Sequence, residues 1–167
     1  DFDSGVPTSG QNFTIALPAT YGTNGGKTFT VLFKSTGTDF DATPTANQVF
    51  VKIDASKSAM NDNFQQVFNG GAVSVVKFGS NVTDGTASGV GSLAAVDGGD
   101  AVKTTINASI IGVLGNTVTL TNVDITGATV SMGALASGED TTNDGQGIAT
   151  GSNVLIKSLD GTPNYSF

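Results

Sequence analysis

Apolar and polar positions alternate with period two along most of this chain, and clusters of Gly, Asn and Asp interrupt the alternation at short intervals. The pattern predicts strands over residues 12–17, 28–34, 48–54, 72–78, 102–114, 117–125, 128–132 and 153–159. In the segment from Val102 to Ile110, Val102, Thr104, Ile106, Ala108 and Ile110 face one way. Lys103, Thr105, Asn107 and Ser109 face the other, so one side is buried and one is wet. The parity breaks at Ile111, Val113 and Leu114, which predicts a bulge near Gly112 or burial of both faces.

Turn chemistry punctuates these segments. Asn24-Gly25-Gly26, Asn69-Gly70-Gly71, Asp84-Gly85, Asp97-Gly98-Gly99 and Asp160-Gly161 each set a residue that tolerates positive φ beside one without a side chain. Gly115-Asn116 is the strongest two-residue hairpin signal, and it predicts antiparallel pairing of the two longest strands. Residues 55–68 break the β pattern. Ala59, Met60, Phe64, Val67 and Phe68 fall at helical spacing, with Asp54 or Ser56 as N-cap and Gly70 as the stop, which predicts one short helix. Residues 83–99 and 133–151 are rich in Gly, Ala, Ser and Asp without sustained alternation and read as long surface loops. The expected fold is all-β: an antiparallel β-sandwich or jelly roll of about eight strands with one short helix, an N-terminal extension over 1–18 and the sandwich over 19–167.

Composition changes the picture mainly by what it removes. The 167 residues include no His, Cys, Arg or Trp, and Glu139 is the sole glutamate. Proton transfer, metal ligation and covalent catalysis near neutral pH depend on such groups, so the chain is expected not to be an enzyme. Ser56-Lys57-Ser58 and Lys157-Ser158 are adjacencies without the partner set that a serine nucleophile requires. The charge is lopsided at −7, with 14 acidic residues against seven lysines. An acidic chain without arginine lacks the clustered cations that hold phosphates, which argues against nucleic acid as a partner. No run of 18 apolar residues is present, so no membrane span is expected. The start at Asp1 without Met reads as a processed N-terminus of a secreted protein.

Calcium is the candidate cofactor. Asp140-Thr141-Thr142-Asn143-Asp144-Gly145 places oxygen side chains of Asp140, Thr142 and Asp144 at alternate positions before a glycine, as a loop that wraps a hard cation does. Gly151 stands where the bidentate glutamate of such a loop belongs, and Glu139 precedes the loop as an outside ligand. Asp1/Asp3, Asp39/Asp41 and Asp97/Asp100 are further acidic pairs, and acidic turns are the competing explanation for all of them. Four sequons begin at Asn12, Asn81, Asn107 and Asn164, with Asn81 the favoured glycan acceptor. Phe29, Phe33, Phe50, Phe64, Phe68 and Phe78 read as core, whereas Phe2, Phe13, Phe40 and Phe167 lie near termini or loops.

The segment 12–17 is amphipathic in its own right: Phe13, Ile15 and Leu17 on one face, Asn12, Thr14 and Ala16 on the other, with Pro18 ending it. Such a strand can complete its own sheet or a groove in a neighbouring subunit, because backbone ladders form equally with either chain. In its size, its Gly/Thr/Asn/Ala richness, its sparse charge and this leading strand, the chain resembles the secreted β-sandwich subunits of prokaryotic surface filaments. These are the fimbrial pilins assembled by donor-strand complementation and the archaeal thread and bundling-pilus subunits. It departs from many chaperone-usher pilins in having no cysteine for a disulfide. The resemblance implies an extracellular, cell-surface subunit that polymerises with copies of itself, with Phe13, Ile15 and Leu17 as the donor knobs. An extracellular adhesin or carbohydrate-binding module and a viral capsid, tail or decoration protein are the alternative readings of the same composition.

Overall fold

The computed structural model describes residues 1–19, 24–70, 73–82, 93–97, 99–108, 118–126 and 128, together with the backbone of 155–157 and 163–166. These residues form a mainly β protein with nine strands and two helices among them. A five-stranded sheet has the order β4-β3-β2-β1-β7, built from β1 (Asn12–Ala16), β2 (Thr28–Lys34), β3 (Gln48–Lys52), β4 (Val76–Phe78) and β7 (Thr119–Asp124). Two further pairs are β5 (Leu93–Asp97) with β6 (Thr104–Ala108), and β8 (Leu155–Lys157) with β9 (Pro163–Ser166).

Alternation of strong contrast gives β2 its predicted limits: Phe29, Val31 and Phe33 enter the core while Thr28, Thr30, Leu32 and Lys34 point away from it. From β3, Val49 and Val51 join them, and from β1 Phe13 and Ile15. Helix α2 (Lys57–Asn69) closes this layer with Met60, Val67 and Phe68, each fully buried and each contributing about 1.5–3 kcal/mol of apolar transfer energy. Its N-cap is Ser56, whose Oγ accepts from Ala59 N–H at 3.4 Å, and Gly70 at φ 75° ends it, as the cap residues predict. A four-residue helix α1 (Thr38–Asp41) covers part of the opposite face of the sheet, where Phe40 and Phe50 are buried outside the main core cluster.

The structure departs from the sequence reading in four places. The main sheet is mixed, because β2 pairs with β3 in parallel through a crossover that carries α1. Residues 93–97, expected within a long loop, form β5. Leu93 and Ala95 enter the core, and the Asn69 side chain binds Ala95 like an extra strand, accepting its N–H at 2.8 Å and donating to its carbonyl at 2.9 Å. Strands β6 and β7 pair with β5 and β1, respectively; the Gly115-Asn116 turn lies outside the described residues, and of the strand expected over 128–132 only Ala128 is described, in a bend. The predicted strand 72–78 contracts to β4, leaving Val73 77% exposed in the preceding turn.

One local motif occurs twice. Pro7-Thr8-Ser9-Gly10-Gln11 leads into β1 and Pro44-Thr45-Ala46-Asn47-Gln48 into β3. In the first turn Gln11 N–H donates to the Thr8 carbonyl (3.2 Å) while Gln11 Oε1 accepts Thr8 N–H (2.9 Å). In the second, Gln48 and Thr45 make the same reciprocal pair at 3.0 and 3.0 Å. Each turn thereby satisfies its own backbone and delivers a strand to one side of β2, β1 antiparallel and β3 parallel.

Candidate functional site

Strand β1 and the segment before it carry the residues singled out for assembly. β1 is antiparallel to β2 along its whole length, Asn12 opposite Leu32 through Ala16 opposite Thr28, and antiparallel to β7 on its other edge, with a register shift between Asn12 and Thr14. It is therefore an interior strand whose backbone is satisfied from both sides. Phe13, Ile15 and Leu17 are buried in the chain's own core. The connection to β2 is tied where Leu17 N–H donates to Lys27 O (3.0 Å) and Gly26 N–H to Leu17 O (3.2 Å). Beyond it Lys27 Nζ donates to Asn24 Oδ1 at 3.2 Å and to Asn81 O at 2.8 Å, joining the loop to the end of the β4 segment.

The leading residues pack onto the same body. Phe2 is buried, its N–H donates to Val102 O at 2.8 Å, and its ring meets Phe64 edge-on with centroids 5.8 Å apart. Phe64 is the hub of an aromatic cluster, 5.9 Å from Phe13, 6.2 Å from Phe33 and 5.3 Å from Phe68. Lys57 Nζ donates to the Asp3 carbonyl. Of the four phenylalanines near termini or loops, Phe2, Phe13 and Phe40 are thus all interior, and Phe167 lies outside the described residues.

At the open end of the β1–β2 hairpin, Asp39 of α1 gathers three donors: the Ser9 hydroxyl, Lys34 Nζ at 3.0 Å and Ser35 N–H at 3.0 Å. Ser35 N–H is shared with Ser9 Oγ at 3.4 Å. The Ser9 hydroxyl, then Lys34 and the Ser35 amide, hold the Asp39 carboxyl below its ordinary value against the opposing effect of burial. Asp41 turns instead to Lys77 at 3.8 Å, and Lys77 lies over the Phe40 ring at 4.8 Å. The acidic pair Asp39/Asp41 is thus divided between two lysines. Among the described residues, no three acidic side chains come together as a metal site would need. Glu139, Asp140, Thr142 and Asp144 lie outside the described residues.

Asn81 is exposed, and its side-chain amide donates to Asn47 Oδ1 at 2.8 Å, so a glycan there would attach to a nitrogen already engaged. The asparagines of α2 are structural. Buried Asn61 donates to Lys103 O (3.4 Å) and accepts from Thr104 Oγ1 (2.6 Å), and Asn63 donates to Lys52 O (3.0 Å). Sequence reasoning missed the Asp39 cluster, whose members are separated by up to 30 positions. The one available signal was the repeated Pro-Thr-x-x-Gln, which marks where β1 begins. Comparison with protein families, with curated proteins and with solved structures finds no match.

Proposed function

We propose that the protein is a structural subunit of an extracellular filament or pilus at the cell surface, a β-sandwich module that forms homopolymers by exchanging β1 between copies. The observation that carries this reading is the placement of β1. It is an interior strand paired antiparallel on both edges, with a register shift on the β7 side, and Phe13, Ile15 and the following Leu17 are buried in the core. A β1 from a second copy would make the same ladders and fill the same core sites, so exchange replaces every contact it breaks. The composition supports a surface role: charged residues are 13% of the chain and none is His, Cys or Arg, leaving uncharged polar faces suited to packing against copies.

Negative-stain electron microscopy of the purified protein tests the reading, with filaments expected from the wild type. Ile15→Asp sets a carboxylate where the side chain is fully buried, and it should abolish filaments, as should deletion of residues 1–17. Normal filaments from either variant would overturn the proposal.

A further inference from the structure

A hairpin whose loop is closed separates from its open end, and in the β1–β2 hairpin that end is fixed by few bonds. Gly10 N–H donates to Phe33 O at 2.9 Å, Phe33 N–H donates to Gln11 O at 2.9 Å, and Gln11 Nε2 donates to Thr126 Oγ1 just past β7. Immediately beside them sits the Asp39 cluster. On the body side the carboxylate holds Lys34 Nζ and Ser35 N–H, at the last residue of β2 and the one after it. On the other side it holds only the Ser9 hydroxyl, from the turn that leads into β1.

We propose that Asp39 is a catch that clasps the turn before β1 to the body of the protein and so sets how readily the β1–β2 hairpin opens from that end. Its role in assembly rests on the reading that β1 is exchanged between copies. The carboxylate is suited to this because charge-assisted hydrogen bonds are about twice as strong as neutral ones, and because one group bridges both sides of the opening. The charged groups around it are Lys34 on β2, Lys52 opposite Lys34 on β3, Asp41 on α1 and Lys77 on β4. Lys34 pairs with Asp39 and Lys77 with Asp41, so a neutral Asp39 leaves Lys34 without its ion pair and Ser9 without its charged acceptor. The first gate to β1 is therefore a titratable contact, whereas the deeper anchors, Phe2 on Phe64 and the Phe13, Ile15 and Leu17 side chains, are apolar and indifferent to pH.

Residue-resolved hydrogen exchange on the full chain tests the catch, comparing wild type, Asp39→Asn and Ser9→Ala. At neutral pH the Gly10 and Phe33 amides should exchange on the order of tenfold faster in Asp39→Asn, with the β3 amides unchanged. Ser9→Ala keeps the carboxylate and its ion pair and removes only the contact to the turn; it should give the same local acceleration, and it decides the matter if Asp39→Asn does not fold. Gly10 and Phe33 protection equal to wild type in the folded variants would overturn the proposal. Assembly kinetics separate the two readings: faster opening with faster filament growth supports both. Faster opening with unchanged growth keeps the catch and removes strand exchange.

Discussion

The turns that precede β1 and β3 have the same Pro-Thr-x-x-Gln sequence and the same reciprocal Gln–Thr bonds, and both bond to the β2 backbone, yet they are enclosed to different degrees. The turn before β3 is sealed by backbone. Gly79 N–H donates to Gln48 O (2.8 Å), Asn81 N–H to Ala46 O (2.8 Å) and Thr30 N–H to Asn47 O (2.9 Å). Gly79 lies so close that a Cβ on it would stand 2.0 Å from Thr45 O and 2.6 Å from Ala46 O. The turn before β1 is less enclosed: it bonds to the Phe33 backbone, a Cβ on Gly10 would meet nothing within 4 Å, and the Asp39 carboxylate reaches its Ser9 hydroxyl from the side. One motif thus serves two ends. In the proposed assembly the enclosed turn keeps β3 in place, and the clasped turn is the one that opens to release β1.

The largest effect expected from this contrast is at Gly79. Gly79→Ala forces main-chain atoms apart, and thermal unfolding should show a loss of about 3–5 kcal/mol, a fall in Tm on the order of 10 °C. A Tm within 2 °C of wild type, roughly the shift of half a kcal/mol, would remove the sealed-turn account. Next come the two glutamines. Gln48→Ala and Gln11→Ala each free a threonine N–H, which costs about 1–2 kcal/mol when the group is shielded from water. The larger loss is expected at Gln11, which is buried and also donates from Nε2 to Thr126 Oγ1, whereas the Gln48–Thr45 bond is exposed; equal losses would erase the distinction. Gly10→Ala is expected to be milder, about 1 kcal/mol, since only the backbone at φ 92° resists it and no atom obstructs it.

The smallest effect is that of acid. The folded-state pKa of Asp39 lies below its unfolded value, so its contribution is fully present above the unfolded value of 3.8 and is lost as pH falls through the folded value. Between about pH 6 and 8 a chain without His or Cys has no unperturbed side chain that titrates; the Asp1 amine, whose pKa burial and then Lys103 lower from 8.0, is expected to make stability rise slightly as pH climbs toward 8. In Asp39→Asn the exchange at Gly10 should no longer respond to acid beyond its intrinsic chemistry. Persistence of the acid response would assign it to another carboxylate.

What could be read from the sequence follows the strength of local contrast. β2 was legible because Phe29, Val31 and Phe33 alternate with Thr30, Leu32 and Lys34 between polar ends, and α2 because Ser56 and Gly70 bracket a helical apolar spacing. β5 was not: in Leu93-Ala94-Ala95-Val96 the alternation has little amplitude, and the strand is fixed by the side chain of Asn69, 26 positions away from Ala95. The parallel pairing of β2 and β3 depends on how the crossover through α1 returns, which no local pattern encodes. The amphipathic character of β1 was visible, but alternation does not distinguish a strand that fills its own sheet from one given to a neighbour. The clasp on the turn before it joins Ser9, Lys34 and Asp39 through the fold alone.

The most direct test of strand exchange uses the absence of cysteine in the chain. Thr14 on β1 stands opposite Thr30 on β2. The bonds from Phe33 N–H to Gln11 O and from Leu17 N–H to Lys27 O make this a non-hydrogen-bonded pair, with Cα atoms about 4.5 Å apart and within disulfide reach. Chains carrying only Thr14→Cys and chains carrying only Thr30→Cys are to be mixed under assembly conditions and oxidised. The account predicts disulfide-linked dimers containing one chain of each kind, formed in step with filaments. Filaments without that cross-link, in a protein whose Thr14→Cys/Thr30→Cys double variant closes the bond within one chain, would show that β1 stays at home.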